Sequence, residues 1–173
     1  MSGPSFHSER LKPATHQVTG FDCGIEVLNR WLIRSAAQEA AKRVANTFVW
    51  TPPDGDEVVA YYALCGHALA RDAAPSRIGH GVADPIPAAL IAKLALSGKL
   101  HGQGLGGQLL RDALERIVRS AHTGPAVRVI IVDAIDETAA DFYRRYGFRD
   151  APTVPMRLLL RLDEAAHALG LAN

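Results

Sequence analysis

The seven residues His101-Gly102-Gln103-Gly104-Leu105-Gly106-Gly107 carry the clearest chemical signal in this sequence. They sit between an apolar run, Ala88–Ser97, and a long amphipathic segment that opens at Leu105. Glycines let backbone N–H groups approach a ligand closely, and a helix start adds unpaired donors and the positive end of the dipole. Such a turn can cradle a phosphate or pyrophosphate, and the same residues can equally make only a tight corner. Two nucleotide motifs fail. A P-loop closes with Gly-Lys-Ser/Thr, whereas Gly106-Gly107-Gln108 has neither the lysine nor the hydroxyl. The dinucleotide fingerprint needs a third glycine at a spacing absent here and an acidic residue farther on, while Asp112 and Glu115 lie on the following helix itself. His67, His80 and His101 are possible proton carriers, and no pattern singles one out as a base. Cys23 and Cys65 have neither metal-type nor disulfide-framework spacing, so no metal is expected and a reducing compartment is.

The elements that must position these residues can be read from periodicity. Asp22 is placed as N-cap of a helix carrying Ile25, Leu28, Trp31 and Leu32, followed by a second helical stretch from Ser35 to Val44. Asn46–Thr51 and Val58–Gly66 read as strands joined by a Pro-Pro-Asp-Gly turn into a hairpin. Ala88–Ser97 reads as a buried strand. Leu105, Leu109, Leu110, Ala113, Leu114, Ile117 and Val118 share one face of a helix that ends near Gly124-Pro125. Val127–Val132 is the next strand. Asp136 caps a helix with Ala139, Ala140, Phe142, Tyr143 and Tyr146 on its apolar side, and Gly147 stops it. Met156–Leu162 is a last strand and Asp163–Leu171 a terminal helix. A strand, crossover helix and strand in series favour parallel neighbours, which predicts an α/β (α+β) fold with one mixed sheet and helices on both faces.

Bulk properties bound the rest. A length of 173 residues suits one domain, 1–173, and 48% hydrophobic with 21% charged residues excludes wholesale disorder. A net charge of +1 gives no global signature of nucleic-acid binding, although it leaves room for a local basic patch. Met1–Val18 has no apolar h-region, and no apolar stretch nears the ~20 residues that span a bilayer. The expectation is a cytoplasmic protein with no membrane association.

Leu94-Ala95-Leu96 followed by His101-Gly102-Gln103-Gly104-Leu105-Gly106 resembles the cofactor motif of the GNAT N-acetyltransferases, Gln/Arg-x-x-Gly-x-Gly/Ala, with His101 in the Gln/Arg place. Ala139-Ala140-Asp141-Phe142-Tyr143-Arg144-Arg145-Tyr146-Gly147-Phe148 is similar to that family's Ala-x-x-Phe/Leu-Tyr-x-x-x-Gly-Phe, in the family's order and at about its spacing. The resemblance implies acetyl-CoA as cofactor. Main-chain groups of Leu94, Ala95 and Leu96 would bind the pantetheine arm, and His101, Gly102, Gln103, Gly104, Leu105, Gly106 and Gly107 the pyrophosphate. Asp136 stands where many relatives carry an Asn that touches the cofactor. Acetyl transfer from a thioester needs a neutral amine, a donor for the oxyanion and a proton for the departing thiolate. Tyr143 matches the family's general acid, and an ordinary phenol pKa near ~10 keeps it protonated at neutral pH.

Within that family, Phe21-Asp22-Cys23-Gly24, Leu28-Asn29-Arg30-Trp31-Leu32, Thr47-Phe48-Val49 and Val59-Ala60-Tyr61-Tyr62-Ala63-Leu64 resemble the toxins of bacterial toxin–antitoxin pairs. Those toxins acetylate the α-amine of aminoacyl-tRNA. Asn46, Lys93 and Ser97 depart from that pattern, which has Arg, Arg and Asp there. The resemblance implies an aminoacyl-tRNA substrate, a ribbon-helix-helix antitoxin and a homodimer. Arg30, Arg34, Lys42, Arg43, Lys93, Arg144 and Arg145 are the expected tRNA contacts, since phosphates dominate such affinity. The other reading is a GNAT enzyme for a small-molecule or protein amine. A catalytically dead module is disfavoured by intact Gly102, Gly104, Gly106 and Tyr143.

Overall fold

The computed structural model describes residues 5–173, so the first four residues of the Met1–Val18 segment lie outside the described residues. The described residues form seven strands and six helices: β1 (His7–Arg10), α1 (Glu26–Arg34), α2 (Ala36–Ala41), β2 (Asn46–Thr51), β3 (Ala60–Leu69), α3 (Ser76–Gly79), β4 (Ile86–Leu96), α4 (Leu105–Thr123), β5 (Val129–Asp133), α5 (Glu137–Arg145), β6 (Arg149–Asp150), β7 (Arg157–Arg161) and α6 (Leu162–Ala168). They make one mixed sheet in the order β1-β2-β3-β4-β5-β7-β6. The hairpin β2–β3 is antiparallel, and β4 and β5 are parallel across the α4 crossover, as the sequence predicts. The β4–β5 register runs from Ala88 to Ile91 opposite Val129 to Val132, and β4 continues past it to Leu96.

Two compact units are distinguished by their internal contacts. The first holds the chain through Cys65 together with Lys93–Asp112. Its core is Phe21, Cys23, Leu32, Ala36, Val49, Val58, Tyr61 and Ala95. The Trp31 ring stacks on Tyr61, and the Tyr61 hydroxyl donates to the Leu28 carbonyl at 2.7 Å, so the inner face of α1 is fixed by one aromatic. The second unit holds Gly66–Ala92 and Ala113–Asn173. There Leu69, Ile78, Ile86, Ala88, Val129, Ile131 and Leu159 form the core, the alternate residues of β5 pointing to one face as strand geometry requires.

Three expectations are corrected. α1 begins at Glu26 with Ile25 at its N-cap position, and Asp22 does not cap it. The second helix is shorter than Ser35–Val44: it closes at Lys42, and Arg43 takes a left-handed φ of 59°. Val44 N–H then donates to Glu39 O and Arg43 N–H to Ala40 O, which satisfies carbonyls the helix would otherwise leave open. β1, absent from the reading of the sequence, pairs antiparallel with β2 from His7↔Thr51 to Arg10↔Phe48.

Candidate active site

The glycine turn belongs to the first unit and is built in steps from the end of β4. Ser97 N–H donates to Val59 O at 2.8 Å, and Gly98 N–H donates to Asp22 O at 2.9 Å. One 3-10 turn, Gly98–Leu100, comes next. His101 then folds back and donates Nε2–H to the Leu96 carbonyl at 2.8 Å, closing the loop onto the last residue of β4. Gly102 and Gly104 have φ of 78° and 75°, a left-handed conformation that side-chain-bearing residues avoid. A Cβ at either would meet no protein atom within 4 Å, so open space lies over the turn. Leu105 is buried and starts α4, with Gly106 and Gly107 in its first turn, where N–H groups have no intrahelical acceptor. Exposed backbone donors on a glycine turn, held by a side chain at its entry and a buried leucine at its exit, fit a diphosphate group.

The N-terminal Phe-Asp-Cys-Gly segment supports this turn. Asp22 Oδ1 accepts from Gly24 N–H at 2.9 Å and from Asn29 Nδ2 at 3.0 Å, while Asn29 Oδ1 accepts from Cys23 N–H at 2.9 Å. The Gly24 amide and then the Asn29 amide hold the Asp22 carboxyl below the usual carboxylate range. This clamp fixes the Asp22 carbonyl that receives Gly98, so Asp22 is a loop lock rather than a helix cap. Asn29 enters the sequence reading only as part of the Leu28–Leu32 segment, with no role of its own. It is buried on α1, and a buried asparagine on an apolar helix face was the available signal.

In the second unit, α5 carries Tyr143 between two well-made ends. Asp136 accepts from Ala139 N–H at 2.8 Å and caps the N-terminus as predicted. At the other end Phe148 N–H donates to Tyr143 O and Gly147 N–H to Arg144 O, with Gly147 at φ 94°. That pair of bonds is a Schellman stop, in which the residue after the glycine packs back on the residue whose carbonyl it bonds. Here Phe148 meets the Tyr143 ring edge-on at 5.5 Å between centroids. The Tyr-x-x-x-Gly-Phe pattern is therefore a helix terminator that fixes the tyrosine ring. Phe142 meets the same ring at 5.2 Å. Tyr143 is 9% exposed, and burial pushes its phenol up to about 12. Tyr146, one turn on, is exposed.

The basic residues divide. Arg144 is engaged by Asp150 through Nε and Nη2, by Glu137 and by Asp141, which raises its pKa further and ties α5 to β6. Three carboxylates surround this guanidinium, which makes Arg144 a structural staple between α5 and β6. Arg145 is exposed beside it. In the first unit Arg30 lies 3.5 Å from Glu26, and Lys93 Nζ stands over the Trp31 ring at 5.3 Å. Arg34 at the end of α1 and Lys42 and Arg43 just past α2 are exposed. Asn46 accepts from Arg10 at 2.5 Å across the β1–β2 pair. His80 is exposed on a cleft of about 600 Å³ with Arg71, Asp72, Ser76 and Asp84, residues that do not include Tyr143. No group of three metal-ligating side chains occurs among the described residues. Among them, too, no helix is long and apolar enough to cross a membrane.

Residues 45–150 match the family model of the acetyltransferase (GNAT) domain. A tRNA-acetylating toxin of Mycobacterium tuberculosis is 36% identical over 170 residues, which is 98% of this chain and 99% of that one. The solved structure of the toxin AtaT in complex with acetyl-methionyl-tRNAfMet superposes with a TM-score of 0.85 at 23% identity, covering 96% of this chain and 98% of that chain. A tyrosine-to-phenylalanine variant of AtaT bound to acetyl-CoA and the C-terminus of the antitoxin AtaR gives a TM-score of 0.80 at 22% identity, covering 94% and 97%. The chain belongs to the GNAT acetyltransferase family, whose enzymes use acetyl-CoA as donor.

Proposed function

We propose that this chain transfers the acetyl group of acetyl-CoA to the α-amino group of aminoacyl-tRNA and so acts as the toxin of a toxin–antitoxin pair. The observation that carries the acceptor is the 36% identity to the mycobacterial tRNA-acetylating toxin over 98% of the chain. That span takes in the Phe21–Leu32 and Thr47–Leu64 segments as well as the glycine turn and α5.

Main-chain amides of Gly102, Gln103, Gly104, Leu105, Gly106 and Gly107 take the pyrophosphate, a reading supported by the left-handed glycines and the open space above them, while His101, whose own N–H donates to Gly98 O at 3.2 Å, holds the entry of the turn instead of offering that amide. Leu94, Ala95 and Leu96, beyond the β4–β5 ladder, offer main-chain groups for the pantetheine arm while their side chains stay available for packing. Asp136 is the α5 residue assigned to the cofactor. When bound, acetyl-CoA supplies an activated thioester carbonyl and a sulfur leaving group. Tyr143 holds on its Oη the proton destined for that sulfur. A pKa of about 12 leaves only about one phenol in 10⁵ ionised at pH 7, so the acid is always loaded. No side chain is assigned as base, because an α-amine of pKa ~7.7–8 is substantially neutral near physiological pH.

Arg30, Arg34, Lys42, Arg43, Lys93 and Arg145 are assigned to tRNA phosphates, with Arg144 excluded because three carboxylates already neutralise it. The reading is completed by a homodimer, a ribbon-helix-helix antitoxin and action in the cytoplasm. The test is transfer from labelled acetyl-CoA to total aminoacylated tRNA, with uncharged tRNA, polyamines and peptides as competitors. Label on the amino group of charged tRNA is expected. Label confined to polyamines or peptides would replace this reading with an ordinary amine acetyltransferase.

A further inference from the structure

Asp112 stands two helical turns into α4 and collects three donors on one carboxylate oxygen. Ser8 Oγ at 2.5 Å, Trp50 Nε1 at 3.1 Å and Tyr62 OH at 3.0 Å all donate to its Oδ2. These donors come from β1, β2 and β3 in turn, so a single atom ties α4 to three strands. The donors are themselves held by packing. Trp50 and Tyr62 are 6% and 0% exposed, Phe6 stacks on Trp50 at 5.4 Å, and Phe48 stacks on Tyr62 at 5.5 Å. Hydrogen bonds to a charged acceptor are among the stronger ones, and their loss leaves buried donors unsatisfied.

The glycine turn needs such an anchor. The entry of the turn is held by His101 and by the Asp22 lock, whereas Gly106 and Gly107 have no side chains with which to fix their own position, so the exit of the turn inherits its place from the helix it opens. A helix rises 1.5 Å per residue and resists compression, so fixing Asp112 fixes Leu105 about 10 Å up the axis. The amides of the first α4 turn move with it.

We infer that Asp112 is a positioning residue for the acetyl-donor site, setting where the N-terminus of α4 presents its amides through the Ser8–Trp50–Tyr62 cluster. The inference rests on the donor reading of the glycine turn. It assigns no contact between Asp112 and the donor, only control over the groups that make one.

The test uses the full chain, with coenzyme A as probe in calorimetry and acetyl-CoA in steady-state kinetics. Asp112→Asn is expected to weaken coenzyme A binding about tenfold, the equivalent of one hydrogen bond to a charged acceptor. KM for acetyl-CoA should rise by the same factor, while kcat at saturating donor stays within about twofold. Trp50→Phe, which removes one donor and keeps an aromatic ring, should shift KM in the same direction by less, and it serves if Asp112→Asn does not fold. Both variants binding coenzyme A as the wild type does, with only Tm lowered, would overturn the inference and leave Asp112 a purely structural residue. A wild-type protein that does not bind coenzyme A would overturn the donor reading and the inference together.

Discussion

Replacing Gly147 by alanine tests whether the helix stop sets the catalytic geometry. The residue has φ 94°, and a Cβ there would lie 3.7 Å from Leu160 Cδ1, an ordinary contact. Steric clash with neighbours is thus absent, and the cost is the left-handed backbone alone, about 1–2 kcal/mol. For a chain of this size that lowers Tm by about 2–8 °C. Relief of the strain would require opening the Phe148 N–H to Tyr143 O bond, and the Phe148 ring would then leave Tyr143. The turnover of Gly147→Ala should therefore fall by more than the folded fraction explains, while coenzyme A affinity, carried by a different segment, holds. Gly147→Asn, whose side chain tolerates the left-handed region, should recover much of the loss. Thermal melts and acetyl-transfer rates on the three proteins decide it. Equal Tm for wild type and Gly147→Ala, or full turnover in a Gly147→Ala protein that melts lower, would refute the coupling between stop and site.

Three further outcomes are expected. Arg145→Glu should weaken tRNA binding and reduce the slope of log K against log salt by about 1, whereas Arg144→Gln should lower Tm and leave that slope unchanged. With an amide-linked aminoacyl-tRNA analogue, kcat/KM should rise with pH to the acceptor amine's pKa and then stay flat to pH 10. Tyr143 works protonated, so its contribution disappears only as pH passes its raised pKa of about 12; a falling limb near pH 9–10 that Tyr143→Phe abolishes would contradict the raised pKa, and a wild-type profile no higher than that of Tyr143→Phe would contradict the assignment as acid. His101→Gln should keep acetyl-CoA KM within about threefold by restoring an amide donor toward Leu96 O, while His101→Ala should raise it further, as loss of one neutral hydrogen bond predicts.

The parts legible in sequence were those marked by local physics. Asp136 and Gly147 delimit α5 because a capping carboxylate and a left-handed glycine act within one turn of their own position. The long apolar face of α4 and the β-branched run of β5 were equally plain. Asp22 misled because its oxygen can serve a neighbouring turn as well as a helix, and Gly24 with Asn29 claimed it. β1 was invisible because His7-Ser8-Glu9-Arg10 has no apolar alternation. Its place comes from pairing with β2, from Phe6 on Trp50 and from Ser8 on Asp112, all distant in sequence. The start of β4 was hidden by Pro85 and Pro87, since proline signals a loop unless the strand's other partners are known. At the candidate site, the glycines and Tyr143 were readable as motifs. The neutralisation of Arg144 was not, because Asp150 reaches it from β6 only after the Gly147 turn is made.

The most direct measurement is of the product formed from acetyl-CoA and charged tRNA, identified by mass spectrometry for wild type and Tyr143→Phe. Wild type should yield N-acetyl-aminoacyl-tRNA, and Tyr143→Phe should lose about 10²-fold or more in rate with coenzyme A affinity unchanged, the range expected for a general acid. Unmodified aminoacyl-tRNA with the wild-type enzyme would contradict the proposed acceptor, and a Tyr143→Phe enzyme as fast as wild type would contradict the proposed acid.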